Sequence, residues 1–188
     1  MHIILASQSP RRKELLGLLN IPFTVRVADI DEAMDPAKSP YDEVARVSTL
    51  KALAIDRQPK DIVIAADTIV VCDGKVLGKP TDEADACNML KALSGRVHQV
   101  MTGMTVLQGE RTISCTEVTD VYFRTLTDQQ IAAYVATGDP MDKAGSYGIQ
   151  SGAAPFVEKI CGDYYNVVGL PVCRLGMILE QLPMEESL

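Results

Sequence analysis

Histidine is scarce in this chain of 188 residues, which contains only His2 and His98. Metal centres built from several histidines and nucleophile–histidine relays both need imidazole groups that converge on one site. Two histidines therefore argue against both kinds of site. His98 stands in an apolar stretch, so we expect it to be a structural residue whose hydrogen bonds are satisfied.

The five cysteines are odd in number, widely spaced and free of any C-x-x-C pair: Cys72, Cys87, Cys115, Cys161 and Cys173. A disulfide framework or a thiolate metal site would show paired and more closely spaced cysteines. We therefore expect reduced, buried thiols, as in a cytoplasmic protein.

Positive charge is also in short supply, because the formal net charge is −7. Such a chain has no overall basic field that would bind nucleic acid. No apolar run is long enough to cross a membrane, and the first ten residues lack the basic and apolar regions of a signal peptide. We expect no nucleic-acid or membrane partner, and any anion must be bound by local groups.

Two common phosphate-binding motifs, G-x-x-x-x-G-K-[ST] and G-x-G-x-x-G, do not occur. What is present is a hydrophobic content of 47%, ample for a core.

The residue patterns predict helix N-caps at Ser9, Thr81 and Thr127. They predict strands over 3–6, 23–27, 62–71, 75–77, 97–107, 112–124, 156–160 and 164–168, and helices from residue 10 and over 40–57, 82–93, 128–136 and 172–182. This order predicts a mixed α/β sheet with helices packed against it.

The first predicted strand runs into a polar turn and a helix that starts at Pro10, with Arg11 and Arg12 in its first turn. Cations are disfavoured at the positive end of a helix dipole. A bound phosphate would resolve the conflict, since it accepts hydrogen bonds from the helix start and from guanidinium groups. The alternative is an exposed basic turn.

Asp67 interrupts the most hydrophobic predicted strand, and a buried carboxylate is costly unless it is paired, protonated or bound to a metal. Asp31 and Glu32 follow another predicted strand. If these strand ends are neighbours, the carboxylates form a site for Mg²⁺ or Mn²⁺. The alternatives are a strand kink at Asp67 and a solvated loop at Asp31 and Glu32.

Lys51, Lys79 and Lys143 each stand beside a motif, respectively an apolar helix stripe, a Gly-Lys-Pro turn and a glycine-rich loop. Each alone is typical of a solvated lysine, but with the arginines they could hold a triphosphate. Carboxylates with a divalent metal, together with basic groups, indicate phosphoanhydride chemistry. A carboxylate would deprotonate water, and basic groups would stabilise the developing charge.

Several motifs, in order, resemble the Maf family of nucleotide pyrophosphatases. They span residue 3 to about 175 and comprise Leu5 to Leu16, Ala66-Asp67-Thr68, Gly78-Lys79-Pro80, Leu93-Ser94-Gly95, Asp142 to Gln150 and Gly162 to Pro171. The resemblance implies a single domain over residues 1–188. Its implied fold is an elongated, mixed and strongly twisted sheet flanked by helices, in two lobes with a central cleft, as in the inosine triphosphate pyrophosphatases.

The resemblance also implies an activity and its residues. Members cleave nucleoside triphosphates to the monophosphate and pyrophosphate with a divalent metal, Mg or Mn, as house-cleaning enzymes. Asp67 matches the proton acceptor, and Glu32 with Asp67 would hold the metal. The positions that match the family's phosphate-binding groups are Ser7, Arg12, Lys51, Lys79 and Lys143. A cytoplasmic homodimer is implied.

Three positions favour the branch of the family that acts on dTTP and UTP: Arg11, Thr68 and Gln150. The branch that acts on 7-methyl-GTP tends to carry tryptophan, glutamine and glutamate there. An amide such as Gln150 can pair with the donor and acceptor of a pyrimidine imide edge. Two stretches depart from the family pattern, Val47 to Lys51 and Ser151 to Pro155, and the second flanks the expected base pocket.

Two other functions stay open at this point. One is the same hydrolysis directed at modified nucleotides such as 7-methyl-GTP. The other is a nucleotide-binding regulator of cell division or septum formation, in which hydrolysis is secondary.

Overall fold

The computed structural model describes residues 2–182. Within that range seven strands form one sheet in the order β2-β1-β3-β5-β6-β7, with β4 paired to β3. Strand β1 pairs in parallel with β2 and β3, whereas β3 with β4 and β6 with β7 are antiparallel, so the sheet is mixed as predicted. The strands are β1 (Ile3–Leu5), β2 (Phe23–Val25), β3 (Ile62–Cys72), β4 (Lys75–Leu77), β5 (Val97–Gln108), β6 (Arg111–Phe123) and β7 (Val157–Cys161).

Six α-helices flank the sheet in the described chain. They are α1 (Pro10–Gly17), α2 (Pro40–Leu53), α3 (Glu83–Leu93), α4 (Asp128–Val135), α5 (Tyr164–Val168) and α6 (Val172–Glu180). Short 3-10 turns lie at Asp139–Asp142, Ala144–Ser146 and Ala154–Phe156. None of the helices within residues 2–182 is both long and apolar enough to cross a membrane.

Two compact units make up the described chain. Unit 1 contains residues 2–67, 102–117 and 169–182, and unit 2 contains residues 68–101 and 118–168. Each unit has its own apolar core. That of unit 1 includes Ile4, Val63 and Leu107, and that of unit 2 includes Leu90, Val121 and Phe123.

Helix α2 lies directly on β5 in unit 1, and Gly103 makes this possible. A Cβ atom at Gly103 would overlap the backbone carbonyl of Val44 and stand 2.7 Å from the backbone nitrogen of Ala45. Only a residue without a side chain lets the helix backbone come this close to the strand. The position of α2, which carries Lys51, therefore depends on this glycine.

The local signals at the helix starts had mixed success. The Ser9 hydroxyl accepts a hydrogen bond from the Arg12 N–H, and Thr127 forms a capping box with Gln130, so both predicted caps are confirmed. The predicted Thr81 cap is wrong by one residue. The carboxylate of Asp82 accepts the bond from the Asp85 N–H instead, because it sits three residues before that donor.

The extended segment predicted over residues 164–168 is wrong, because these residues form helix α5. The Asp163 carboxylate accepts a hydrogen bond from the Tyr165 N–H at 2.7 Å. An aspartate that caps the next turn favours helix over strand, and this local bond overrides the β propensity of the tyrosines and valines. The tail from Pro183, predicted to fray, lies outside the described residues.

The prediction of buried thiols is largely wrong, although all five cysteines are free as expected. Only Cys72 is buried, whereas Cys161 and Cys173 are exposed. Cys161 ends strand β7, and Cys173 is the second residue of α6.

His98 lies buried in the core of unit 2 against the edges of the Phe123 and Tyr147 rings. Its Nε2 atom is 2.8 Å from the Tyr147 hydroxyl, but Nδ1 has no hydrogen-bond partner among residues 2–182. We expected both ring nitrogens to be hydrogen-bonded, and only one of them is. Burial lowers the pKa of His98 to about 4.

Gly103→Ala is expected to lower the free energy of unfolding by about 2 kcal/mol or more, because the added methyl group must push α2 away from β5. Gly176→Ala in α6 is the matched control. Nothing stands within 4 Å of its added methyl group, and alanine favours a helix interior by up to about 1 kcal/mol. Denaturant unfolding measures both, and equal effects would contradict the close contact.

Because of His98, the free energy of unfolding is expected to fall as the pH drops from about 6.5 to about 4. The unfolded chain binds a proton on this imidazole below about pH 6.5, whereas the folded chain resists protonation down to about pH 4. His98→Gln should remove roughly 3 kcal/mol of this pH dependence, since one pKa unit corresponds to about 1.4 kcal/mol. Unfolding at several pH values measures it, with His2→Gln, at an exposed position, as the control.

Candidate active site

The predicted acids of unit 1 follow from the parallel pairing of its strands. Leu5 of β1 is in register with Val25 of β2 and Ile64 of β3. Strands β1 and β2 therefore end at the same level of the sheet, and β3 continues beyond that level to Asp67. In open α/β sheets, ligands bind outside the carboxyl ends of parallel strands.

The Lys51 ammonium group binds both predicted metal-site carboxylates. Its Nζ atom lies 2.7 Å from Asp67 Oδ1 and 2.9 Å from Glu32 Oε2. The side chains of Lys51 and Asp67 are each 13% exposed, whereas that of Glu32 is 58% exposed. Of the three ways in which the sequence allowed Asp67 to be tolerated, namely pairing, protonation or a bound metal, the structure shows pairing with Lys51.

Arg12 lies beside this group and is fixed by the chain's last segment. Its Nε donates to the carbonyl oxygen of Gly169 at 2.8 Å, and one terminal nitrogen donates to the Ser7 hydroxyl at 3.4 Å. Burial lowers the pKa of Arg12, and the negative charges of Asp67 and Glu32 oppose that shift. A guanidinium group partly withdrawn from water and close to two carboxylates forms a strongly polar site.

Two residues that sequence reasoning missed hold the loop that carries Glu32. Glu43 accepts the Asp35 N–H at 2.9 Å and binds Arg46 through both oxygens, at 2.9 and 2.8 Å. Arg46 donates in turn to the carbonyl oxygen of Ala33 at 2.7 Å. These bonds lower the pKa of Glu43 to about 2, with the Arg46 bond the largest cause. The signal was a charged pair three residues apart on one helix face.

Asp31 does not join the acidic pair. Its carboxylate accepts the Ala33 N–H at 2.9 Å, which is a local turn contact. Arg11 is half-buried in the first turn of α1. Unit 1 therefore brings Ser7, Arg12, Glu32, Lys51 and Asp67 together.

The remaining predicted residues belong to unit 2. Thr68 follows Asp67 in β3 and is half-buried, whereas Lys79 and Gln150 are exposed. The Gly145 N–H donates to the Gly78 carbonyl oxygen at 3.0 Å, which joins the turn of Lys79 to the loop of Lys143. The Lys143 ammonium group binds Asp139 Oδ1 at 3.0 Å and Asp142 Oδ1 at 2.7 Å.

The residues of unit 1 fit a hard divalent cation. Two carboxylates already share one positive charge there, and Mg²⁺ is commonly held by one or two carboxylates with water and substrate phosphates. No larger group of three or more His, Cys, Asp or Glu side chains suited to a metal is found in residues 2–182. Glu32 and Asp67 therefore suit a metal that is shared with a substrate.

Curated relatives match nearly the whole chain. A protein of Symbiobacterium thermophilum named dTTP/UTP pyrophosphatase is 53% identical over 180 residues, covering 95% of this chain and 93% of the relative. A protein of Bacillus cytotoxicus with the same name is 50% identical over 179 residues, covering 95% and 94%.

Solved structures share the fold at low identity. A HAM1 protein from Coxiella burnetii superposes with a TM-score of 0.54 at 17% identity, covering 97% of this chain and all of that one. The Ham1 protein of Staphylococcus aureus gives a TM-score of 0.50 at 16% identity, covering 96% and 98%. The predicted α/β fold, a mixed twisted sheet flanked by helices, is thereby confirmed.

The family model described as Maf-like protein matches residues 2–182. This match takes in every motif on which the resemblance was based. The chain therefore belongs to the Maf family.

Proposed function

We propose that this protein is a nucleoside triphosphate pyrophosphatase that hydrolyses dTTP and UTP to the nucleoside monophosphate and pyrophosphate. The observation that carries the proposal is the pairing of Lys51 with Asp67 and Glu32, next to Arg12. The names of the relatives at 53% and 50% identity support the substrates.

Asp67 is the proton acceptor in this proposal. Its carboxylate is nearly buried at 13% exposure and is held at 2.7 Å by the Lys51 ammonium group. A carboxylate fixed in this way can take a proton from a water that attacks phosphorus. Lys51 offsets the repulsion between Asp67 and Glu32 and so keeps both carboxylates close enough to act together.

Glu32 and Asp67 are the residues that would hold Mg²⁺ or Mn²⁺. When bound, such an ion polarises phosphoryl oxygens and lowers the pKa of a bound water. Arg12 and Lys51 supply the cationic groups that stabilise negative charge on the phosphates.

Phosphate binding is assigned to Ser7, Arg12, Lys51, Lys79 and Lys143. Arg12 is the best supported of these residues, because its Nε donates to the Gly169 carbonyl oxygen and the guanidinium group is thereby held in one orientation. Guanidinium can form two parallel bonds to phosphate oxygens, which adds orientation to charge. Base selection is assigned to Arg11, Thr68 and Gln150.

The cellular setting completes the proposal. Five free cysteines suit the reducing cytoplasm, where disulfides are rare. A house-cleaning role and a homodimer rest on the family resemblance.

Asp67→Asn is expected to lower the rate of pyrophosphate release from dTTP by at least about 100-fold, because an amide cannot accept the proton of the attacking water. The measurement is kcat with Mg²⁺ or Mn²⁺ present. Asp56→Asn removes an exposed carboxylate of unit 1 and serves as the control. Full activity of Asp67→Asn would contradict its role as proton acceptor.

Wild-type protein is expected to hydrolyse dTTP and UTP at least about tenfold more efficiently than 7-methyl-GTP, since a site built for one set of base donors and acceptors leaves unpaired groups with another. Pyrophosphate release across a nucleotide panel gives kcat/KM for each. Equal values would refute the substrate assignment. Tight nucleotide binding without turnover would favour the regulatory function instead.

A further inference from the structure

The Asp139 carboxylate in unit 2, to which the proposed function gives no role, is the centre of a hydrogen-bond network. Its Oδ2 atom accepts bonds from the hydroxyls of Tyr134 and Ser151, both at 2.6 Å. Its Oδ1 atom accepts a bond from Lys143 Nζ at 3.0 Å. One carboxylate thus joins the phosphate-binding lysine to two side chains elsewhere in the unit.

Those two side chains hold both ends of the turn that carries Gln150. The Ser151 N–H donates to the Gly148 carbonyl oxygen at 3.2 Å, which closes the turn. The Gly148 N–H donates to the Tyr134 hydroxyl at 3.2 Å, and Ser151 binds Asp139 directly. Gln150 lies between these anchored ends with its own side chain exposed.

The packing around the turn leaves it little room to move. A Cβ atom at Gly148 would stand 2.5 Å from Ser151 Oγ and 2.8 Å from Lys143 Cε. One at Gly152 would stand 2.9 Å from the Tyr134 ring. The turn, the lysine stem and the tyrosine ring are therefore packed against one another, so displacing one disturbs the others.

All three N–H bonds of the Lys143 ammonium group have partners. They go to the carbonyl oxygen and Oδ1 of Asp139, at 2.6 and 3.0 Å, and to Asp142 Oδ1, at 2.7 Å. The two carboxylates differ in burial, because the side chain of Asp139 is 26% exposed and that of Asp142 is 64% exposed. Asp139 is the more firmly held of the two anchors.

Burial raises the pKa of Asp139, but the bonds from Ser151, Tyr134 and Lys143 outweigh it and leave that pKa lowered. The group therefore stays ionised at neutral pH and accepts all its bonds as a carboxylate. An asparagine at the same place has only one acceptor oxygen, and its NH₂ group would face either the hydroxyls or the ammonium group.

A fixed turn has a direct consequence for base selection. An amide side chain can offer its N–H and C=O groups in either order, so a freely placed Gln150 could pair with the imide edge of uracil or thymine, or with the edge of cytosine. Discrimination between the two requires that the amide be held in one arrangement. Fixing the backbone on both sides of Gln150 limits its choices.

We propose that Asp139 is a positioning residue that holds Lys143 and the Gln150 turn in one frame, so that phosphate binding and base selection depend on the same carboxylate. The inference rests on the proposed function, which gives phosphate to Lys143 and the base to Gln150. In this scheme Asp139 contacts neither the phosphate nor the base. It acts through Lys143 on the phosphate and through the turn of Gln150 on the base.

Three variants separate the parts of this frame: Asp139→Asn, Ser151→Ala and Asp142→Asn. Asp139→Asn alters direct hydrogen bonds of both the lysine and the turn, Ser151→Ala removes a direct bond of the turn alone, and Asp142→Asn alters a direct bond of the lysine alone. The measurements are kcat and KM for dTTP and CTP, the melting temperature, and hydrogen exchange of the Gly148 and Ser151 amides.

Asp139→Asn is expected to lower the ratio of kcat/KM for dTTP over CTP about tenfold and to raise KM for both nucleotides, since small displacements of positioning groups are costly. Ser151→Ala should lower the ratio about threefold with a smaller change in KM. Asp142→Asn should change KM for both nucleotides in parallel and leave the ratio as in the wild type. The two amides should exchange faster in Asp139→Asn and Ser151→Ala only.

A purely structural role predicts a different pattern. It lowers kcat/KM for dTTP and CTP by the same factor and follows the melting temperature, and that result in Asp139→Asn would overturn the proposal. If Asp139→Asn fails to fold, an unchanged ratio and unchanged exchange in Ser151→Ala would overturn it equally. A wild-type protein without preference for dTTP over CTP would instead refute the substrate assignment, and the inference would fall with it.

Discussion

One ammonium group between two carboxylates is the interaction on which unit 1 depends. Lys51 reaches Asp67 and Glu32 from a third element, so a helix, a strand and a loop must all be correctly placed for the contact to form. A buried carboxylate without its partner is far more costly than a paired one. Asp67, at 13% exposure within an apolar strand, is tolerated because Lys51 is there.

Each element of this contact is fixed by a different device. Helix α2 is placed by backbone contact with β5 at Gly103, and the Glu32 loop is tied down by Glu43 and Arg46. Asp67 comes from β3, whose parallel register with β1 puts it beyond the end of that strand. These devices are steric, ionic and topological, so the site does not depend on any one kind of force.

The sequence predicts the features of this arrangement that neighbouring residues form, but few of the contacts between residues far apart in the chain. Ser9 before Pro10 predicted a helix start, and an aspartate inside an apolar strand indicated a group that must be paired, protonated or bound to a metal, because both signals lie within a few residues. The anchor of Arg12 on Gly169 joins positions 157 apart, and no local pattern reports such a bond. Helix α5 was missed because one aspartate cap outweighed a strand-like composition.

Unit 2 also pairs a lysine with carboxylates, but there hydrogen bonds from hydroxyl groups are part of the arrangement. There the charged partner of the lysine is itself stabilised by two hydroxyl groups, and those hydroxyls are bound to a turn of the chain. A carboxylate can accept several bonds at once, so it can couple groups that share no hydrogen bond with each other. The bonds that stabilise the half-buried Asp139 carboxylate therefore also connect the lysine to the turn. Position in the chain gives no hint of this, since Asp139 stands between Gly138 and Pro140, two residue types that commonly end a helix.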